Sequence, residues 1–303
     1  MLPAAIVAAV LLMQTAPGTD PQQQQQRPIG TRGLTDQTVN VQKGMRLVID
    51  DCTGDVIVDT WDRDAVRVRA EHSRNTKVEI TPRDQVLSIS REGRSIIDYE
   101  LTVPAWMGLN VEGNNCFVDV KGLAGNLTAK TVQGDINLRD LTGTATVESI
   151  DGTIRIEGGK GRIQANSTDG DIEVTKASGE LALESIDGTI RMTDVTASAL
   201  EAMSVDGDIT FSGTFQSNGR YRFTSHDGDL LLFLPENTSA TFVVRRNDNS
   251  EKLDSTLPLK AAAGAQRGRR MTYTLGGGSA QVELESFDGD VRIRKTGESV
   301  KKD

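Results

Sequence analysis

Apolar and polar residues alternate in short runs along most of this chain. In one segment the alternation places Val147, Ile154 and Ile156 on one side of the backbone and Glu148 and Arg155 on the other. Val, Ile and Thr, which favour strands, recur in these runs. The pattern therefore predicts many short β-strands, each with one buried and one exposed face.

The predicted strands are joined by a turn of repeated sequence, Ser-x-Asp-Gly. Its clear copies end at the pairs Asp151-Gly152, Asp169-Gly170, Asp187-Gly188, Asp206-Gly207, Asp227-Gly228 and Asp288-Gly289. From a weaker copy at Gly134, the turn glycines are evenly spaced as far as Gly188, and the later steps, to Gly207, Gly228 and Gly289, are progressively longer. Each unit is predicted to contain a strand, the Asp-Gly turn, a second strand and a second turn that contains glycine.

Two architectures would produce this repeat. In a β-solenoid each unit is one coil, whereas in a β-meander or sandwich each Asp-Gly is a hairpin turn that brings Glu148 opposite Arg155. Stacked coils must share one length, but hairpins need not. The constant step therefore favours an all-β, single-stranded β-solenoid, like a β-helix, with coils of about 18 residues.

The turn residues have predicted roles of their own. Glycine is expected to supply a positive φ, and the preceding Asp is expected to accept a hydrogen bond from the backbone two residues on. The Ser is expected to pack or bond inside the turn. On this interpretation the row of turn aspartates is structural.

The segments that flank the repeat differ in composition. The apolar run Leu2–Met13 predicts a signal peptide over 1–18, although no Lys or Arg precedes it; an uncleaved membrane tether is the alternative. A disordered linker rich in Gln and Pro is predicted over 19–43, the repeat domain over 44–295, and a polar tail over 296–303. An irregular insertion over 245–278 contains the basic residues Arg245, Arg246, Arg267, Arg269 and Arg270.

Charge and cysteine content narrow the functional classes. The net charge is −9 and the sequence pI is about 4.9, without a long basic stripe, so a nucleic-acid partner is not expected. Cys52 and Cys116 are the only cysteines, and no zinc-binding spacing is present. In an exported chain these two cysteines are candidates for a disulfide, although spacing alone does not place them within bridging distance; the alternative is two buried thiols.

The aspartate row also allows two chemical hypotheses. Polysaccharide-cleaving β-helix enzymes use clustered carboxylates, but regular coils leave little chain to build a cleft. Pairs of turn aspartates offer oxygen ligands for calcium, without the glycine-rich nine-residue step of calcium-binding repeats; these pairs are Asp169/Asp171, Asp206/Asp208, Asp227/Asp229 and Asp288/Asp290. Neither catalytic residues nor a resident cofactor is therefore predicted.

The order of these motifs resembles the bacterial putative-adhesin family of β-strand-repeat proteins, a domain of unknown function. The resemblance covers residues from about 44 to 295 and rests on the Ser-x-Asp-Gly-Asp-Ile units, on Leu101-Thr102-Val103-Pro104, on Leu232-Phe233-Leu234-Pro235 and on the closing glycine-rich segment. It implies a right-handed, solenoid-like β-helix at the bacterial envelope and brings no catalytic residues.

The sequence thus predicts a non-enzymatic exported protein that serves as an adhesin or binding scaffold. Its location would be periplasmic, cell-surface or secreted, and its partner an envelope protein or glycan. The alternatives are a polysaccharide-active β-helix enzyme and a sensor or regulator of envelope stress. Membrane contact is expected only through an uncleaved N-terminal segment.

Overall fold

The structure is a computed structural model that describes residues 32–93, 95–246, 253–261 and 270–298. Arg32–Asp303 form one compact unit. The predicted signal peptide, most of the predicted linker and residues 299–303 of the predicted tail lie outside the described residues. None of the described residues belongs to a helix long and apolar enough to cross a membrane.

All regular structure in the described ranges is β-strand. The strands are β1 (Arg32–Asn40), β2 (Arg46–Trp61), β3 (Ala65–Ser73), β4 (Lys77–Arg83), β5 (Val86–Glu92), β6 (Asp98–Pro104), β7 (Gly108–Lys121), β8 (Leu127–Gln133), β9 (Ile136–Arg139), β10 (Thr144–Ser149), β11 (Ile154–Glu157), β12 (Lys160–Ser167), β13 (Ile172–Thr175), β14 (Ser178–Ser185), β15 (Ile190–Ser204), β16 (Ile209–Gly213), β17 (Arg220–Ser225), β18 (Leu230–Leu234), β19 (Ala240–Arg246), β20 (Asp254–Ser255), β21 (Lys260–Ala261), β22 (Arg270–Leu275), β23 (Ala280–Ser286) and β24 (Val291–Lys295).

Strands pair with the equivalent strands of the neighbouring coils. β10 pairs in parallel with β8 and β12, and β11 pairs in parallel with β9 and β13. The solenoid prediction is therefore confirmed, and the hairpin alternative is wrong. Glu148 does not meet Arg155; its carboxylate lies 2.9 Å from Lys130 on the previous coil.

The core lies between the two stacks of strands. Every second residue of β10 and β11 is buried, for example Ala145, Val147, Ile154 and Ile156. The same positions are buried in the coils above and below, so the apolar side chains form one continuous core along the solenoid. Burial of these residues stabilises the stack, because no coil can cover its own apolar face.

The first longer step between turn glycines, from Gly188 to Gly207, has a local cause. In the preceding coils Gly161 and Gly179 stack at one position near the start of the first strand, and Ala197 occupies that position in the next coil. The register shifts there, and Ser198 is accommodated as an extra residue whose hydroxyl donates to the Gly179 carbonyl at 3.0 Å. A bulge thus lengthens the coil by one residue.

The second corner of each coil follows the second strand. The residues at its turning point are evenly spaced along the chain, and all have a left-handed φ of 53–73°. They are Gly122, Asp140, Gly158, Lys176 and Asp194. We call this set the left-handed corner.

The N-terminal end departs from the predicted organisation. β2 lies between the β5/β6 pair and β7, and β3 and β1 extend the sheet beyond β6 with antiparallel pairing. The predicted linker boundary is therefore wrong, since Arg32–Asn40 form a strand. The residues of this strand, β1, are mostly exposed and polar, so their sequence shows no alternation of buried and exposed positions. Backbone pairing with β3 and the 2.6 Å ion pair between Asp36 and Arg67 hold β1 in place.

The C-terminal end places the last coil out of chain order. β23 lies between β17 and β19, and both pairings are parallel. β19 therefore lies beyond β23 in the stack, although it precedes β23 in the chain. β22, from the segment between these two strands, pairs antiparallel with both β19 and β21 at the end of the stack. Arg245 is exposed and lies 3.6 Å from Glu285; the Arg246 side chain, Arg267 and Arg269 lie outside the described residues.

Candidate functional site

The predicted turn residues lie together at one corner of the coil, which we call the Ser corner. Ser149 is buried, its hydroxyl accepts a hydrogen bond from the Gly152 N–H at 2.9 Å, and it donates to the carbonyl of Gly134 at 3.3 Å. The turns from Ser167 to Ser225 repeat the first bond, and Ser185, Ser204 and Ser225 also repeat the second. Four buried serines therefore close their own turns and bond to the coil before; these are Ser149, Ser185, Ser204 and Ser225. The Ser286 hydroxyl instead donates to the Gly289 carbonyl of its own turn at 2.7 Å.

The explanation expected for the turn glycines is wrong. The φ angles of Gly152, Gly170, Gly188, Gly207, Gly228 and Gly289 lie outside the left-handed region. A Cβ at Gly152 would lie 1.9 Å from the Gly134 carbonyl oxygen, and one at Gly188 would lie 2.2 Å from that of Gly170. The glycine is needed because the coils approach too closely at this corner for any side chain.

The role expected for the preceding aspartates is also wrong. Asp151, Asp169, Asp187, Asp206, Asp227 and Asp288 are all exposed, and no described backbone N–H donates to their carboxylates. The aspartates that follow the glycine bond to the backbone instead. Asp135 accepts from the N–H of Thr153 at 2.9 Å, and Asp171 accepts from that of Thr189 at 2.8 Å.

Sequence reasoning missed the role of this second aspartate row, several of whose members it named only as possible calcium ligands. In the same way the Asp208 carboxylate accepts from the N–H of Asp229, and the Asp229 carboxylate accepts from the N–H of Asp290 on the following coil. The signal was the recurrence of Asp or Thr directly after each glycine. Its meaning depends on which residues stack across coils, which the repeat length alone does not reveal.

Ser225, His226 and Asp227 do not form a catalytic triad. The Ser225 hydroxyl is fully buried and bonded within the turn. His226 is exposed, its Nδ1 lies 2.6 Å from Asp227, and its ring stacks on Phe287 at 5.0 Å. The hydrogen bond to Asp227 raises the pKa of His226, but the imidazole has no nucleophile to activate among the described residues.

The turn aspartates do not assemble a metal site in the described part of the chain. No group of three or more His, Cys, Asp or Glu side chains lies close enough there to hold an ion. Where an aspartate stands on both sides of the turn glycine, the first is exposed to solvent; of the second aspartates, Asp171, Asp208 and Asp229 each accept from a backbone N–H of the next coil.

The two cysteines mark the N-terminal end of the Ser corner. Cys52 and Cys116 form a disulfide with a Cα–Cα distance of 5.6 Å. Cys116 occupies the position of the turn glycine, directly below Gly134, whose added Cβ would lie 2.4 Å from the Cys116 carbonyl oxygen. A covalent link therefore joins the coils at the position where the later coils use the serine and glycine pair.

A line of mostly apolar, mostly exposed side chains runs along the outside of the Ser corner. The residues between Ser and Asp, or their equivalents, form it, and we call it the corner ridge: Val132, Ile150, Thr168, Ile186, Val205, His226 and Phe287. Consecutive members are in register, because the aspartate N–H of each turn donates to the ridge carbonyl of the coil before, as Asp169 does to Ile150 at 2.8 Å. Five of the nine large apolar residues exposed in the described ranges belong to this line. Exposed apolar surface is thus concentrated at one corner.

A comparison with protein-family models shows which family this chain belongs to. A family model described as Toastrack DUF4097 matches residues 45–294. The chain belongs to this Toastrack family. The match spans the solenoid from β2 to β24, including the excursion before the last coil. No curated protein matches the chain.

Several solved structures are similar to the chain at low sequence identity. A putative lipid binding protein from Parabacteroides distasonis is 10% identical with a TM-score of 0.48, over 88% of this chain and 98% of that one. A putative adhesin from the same organism is 12% identical with a TM-score of 0.46, over 87% and 97%. A putative adhesin from Bacteroides fragilis is 14% identical with a TM-score of 0.43, over 87% and 97%.

Proposed function

We propose that this Toastrack chain is a non-enzymatic, exported binding scaffold of the cell envelope, of the adhesin type. The observation that carries the proposal is the corner ridge, because five of its seven members are large exposed apolar residues, and exposed apolar surface gathered in one place on a folded protein marks an interaction site. The stacked coils hold the ridge residues in fixed register. A partner would therefore meet a rigid, preorganised line of side chains.

Two features support export. The apolar run Leu2–Met13 has the length of a signal-peptide core, and the Cys52–Cys116 disulfide suits an oxidising compartment outside the cytoplasm. Periplasmic, cell-surface and secreted locations are all compatible with these features.

The arrangement of carboxylates supports binding over catalysis. Hydrolysis by paired carboxylates requires two groups in different environments beside a cleft. The aspartates that precede the turn glycines are instead all exposed and occupy the same position in successive turns. No specific observation on the described residues favours a sensor of envelope stress.

A pull-down tests the proposal. The purified chain without its N-terminal segment, residues 29–303, is immobilised and incubated with fractionated cell envelope, with and without EDTA. We expect saturable retention of one envelope component, unchanged by EDTA. If no fraction is retained and the protein cleaves an envelope polysaccharide, the binding-scaffold proposal is wrong.

A further inference from the structure

The corner ridge is long and follows the stacking direction of the coils. Its seven members occupy successive coils, and at a strand spacing of about 4.8 Å the line is roughly 30 Å long. Ile150, Ile186 and Val205 are each close to half exposed, at 45%, 47% and 45%. The line extends over seven coils, so a partner that contacts all of it must itself be elongated.

Negative charge borders the ridge and is compensated only at one member. The aspartates that precede the turn glycines form a row directly beside it. Asp227 contacts His226 of the ridge at 2.6 Å, whereas the other aspartates of the row have no ion pair with a cation in the described ranges; these include Asp169, Asp187, Asp206 and Asp288. The outer faces of the sheets differ, since several carboxylates there are paired with arginines; Arg162 lies 2.6 Å from Glu180, and Arg222 lies 3.3 Å from both Glu201 and Glu283. The corner therefore combines apolar surface with unpaired carboxylates.

The exposed apolar surface and the unpaired carboxylates together indicate which class of partner fits the ridge. Anionic lipid headgroups and acidic glycans would be repelled by the aspartate row. A second copy that docked ridge to ridge would place one aspartate row against the other, with the same penalty. A polypeptide with apolar and cationic side chains satisfies both properties at once, since it covers the ridge and neutralises the carboxylates.

We infer that the corner ridge binds a basic, amphipathic polypeptide segment of a partner protein. The inference rests on the proposed scaffold function and specifies where the partner lies and what its chemistry is. The apolar side chains of the segment would lie along the ridge, and its Lys or Arg side chains would face the aspartate row. Association would accordingly weaken as salt is added.

Synthetic peptides test the chemistry. A length of about 12 residues is enough to span the ridge as an extended strand. The probe alternates Leu and Lys, and its matched control alternates Leu and Glu. Binding to the full-length protein is followed by fluorescence anisotropy at two salt concentrations. We expect saturable binding of the Lys peptide that weakens with salt, and no binding of the Glu peptide.

Three variants locate the binding. Ile150→Thr/Ile186→Thr/Val205→Thr removes the apolar ridge, and Thr168 shows that threonine fits this position. Asp169→Asn/Asp187→Asn/Asp206→Asn removes the charge. Ile57→Thr replaces an exposed apolar residue on another surface and is the matched control. We expect at least tenfold weaker binding for the first two variants, loss of salt dependence for the second, and unchanged binding for Ile57→Thr.

The failure of this inference is distinguishable from the failure of the scaffold function. Equal binding of the Lys peptide to all variants would overturn the inference, as would preference for the Glu peptide or for anionic vesicles. Self-association that the threonine variant abolishes would also overturn it in favour of a second copy. If the threonine variant still retains the envelope component in the pull-down, the scaffold stands and the ridge assignment is wrong.

Discussion

The two corners of each coil reverse the chain by different means. At the Ser corner every copy of the repeated turn has glycine, yet φ is not left-handed in the six clear copies. At the left-handed corner φ is positive in all five residues, yet only Gly122 and Gly158 are glycine. Glycine is therefore required where the neighbouring coil is too close, and not where the dihedral angle is unusual.

The surroundings of the two corners explain the difference. The Ser-corner glycines are buried against the carbonyl of the previous coil, so a Cβ has no space. Asp140, Lys176 and Asp194 are exposed at the left-handed corner, where their side chains reach solvent. A left-handed φ costs an ordinary residue about 1–2 kcal/mol, which a well-packed coil tolerates. A backbone clash cannot be tolerated without separation of the coils.

The largest effect is expected from the covalent link in the Ser corner. Replacement of both Cys52 and Cys116 by alanine should destabilise the fold by about 4 kcal/mol, because the chain-entropy model assigns that to cysteines separated by 64 residues. Urea unfolding of the variant and of the oxidised parent measures this. Reduced parent protein should match the variant; equal stability of all three would show that the link does not stabilise the corner.

The serine of the Ser corner provides the next test. Ser185→Ala removes the acceptor for the Gly188 N–H at 3.0 Å and the donor to the Gly170 carbonyl at 3.4 Å. The loss should destabilise by about 1–3 kcal/mol, since buried polar groups remain unpaired. Ser178→Ala is the control, because that side chain has no hydrogen bond with the described residues. Identical denaturation curves for the two variants would contradict the assigned role of the buried serine.

A smaller effect of opposite sign is expected at the left-handed corner. Lys176→Gly relieves the cost of φ 54° but adds freedom to the unfolded chain, so stability should rise by less than about 1 kcal/mol. Lys176→Ala keeps the dihedral cost and should not raise stability. Thermal melts compare the two; a marked loss of stability in the glycine variant would show that the lysine side chain matters there.

The solenoid was predictable because its period is a geometric requirement. The even spacing of the turn glycines from Gly134 to Gly188 can arise from stacked coils, and the alternation around Val147 and Ile154 identified the buried faces. The insertion of β23 between β17 and β19 was not predictable, since strand order at the ends depends on which edge remains unpaired. β1 was missed because its stability comes from backbone pairing and not from burial.

The site was predicted only in part. The repeat identified the correct turn residues, but their roles follow from contacts between coils that a single unit does not contain. Glycine and the first aspartate therefore received the roles they have in isolated turns. The second aspartate row and the corner ridge emerge only when equivalent residues are stacked, as Asp171 and Thr189 or Ile150 and Thr168 are.

Paired urea unfolding of Gly170→Ala and Gly158→Ala tests the comparison most directly. A Cβ at Gly170 would lie 2.1 Å from the Gly152 carbonyl oxygen, whereas one at Gly158 would meet only the movable carboxylate of Asp140 at 2.7 Å. We predict that Gly170→Ala costs about 3 kcal/mol or more through forced separation of the coils. Gly158→Ala should cost only about 1–2 kcal/mol through its dihedral angle. Equal losses, or a larger loss for Gly158→Ala, would contradict the conclusion that close approach of the coils is what requires glycine at the Ser corner.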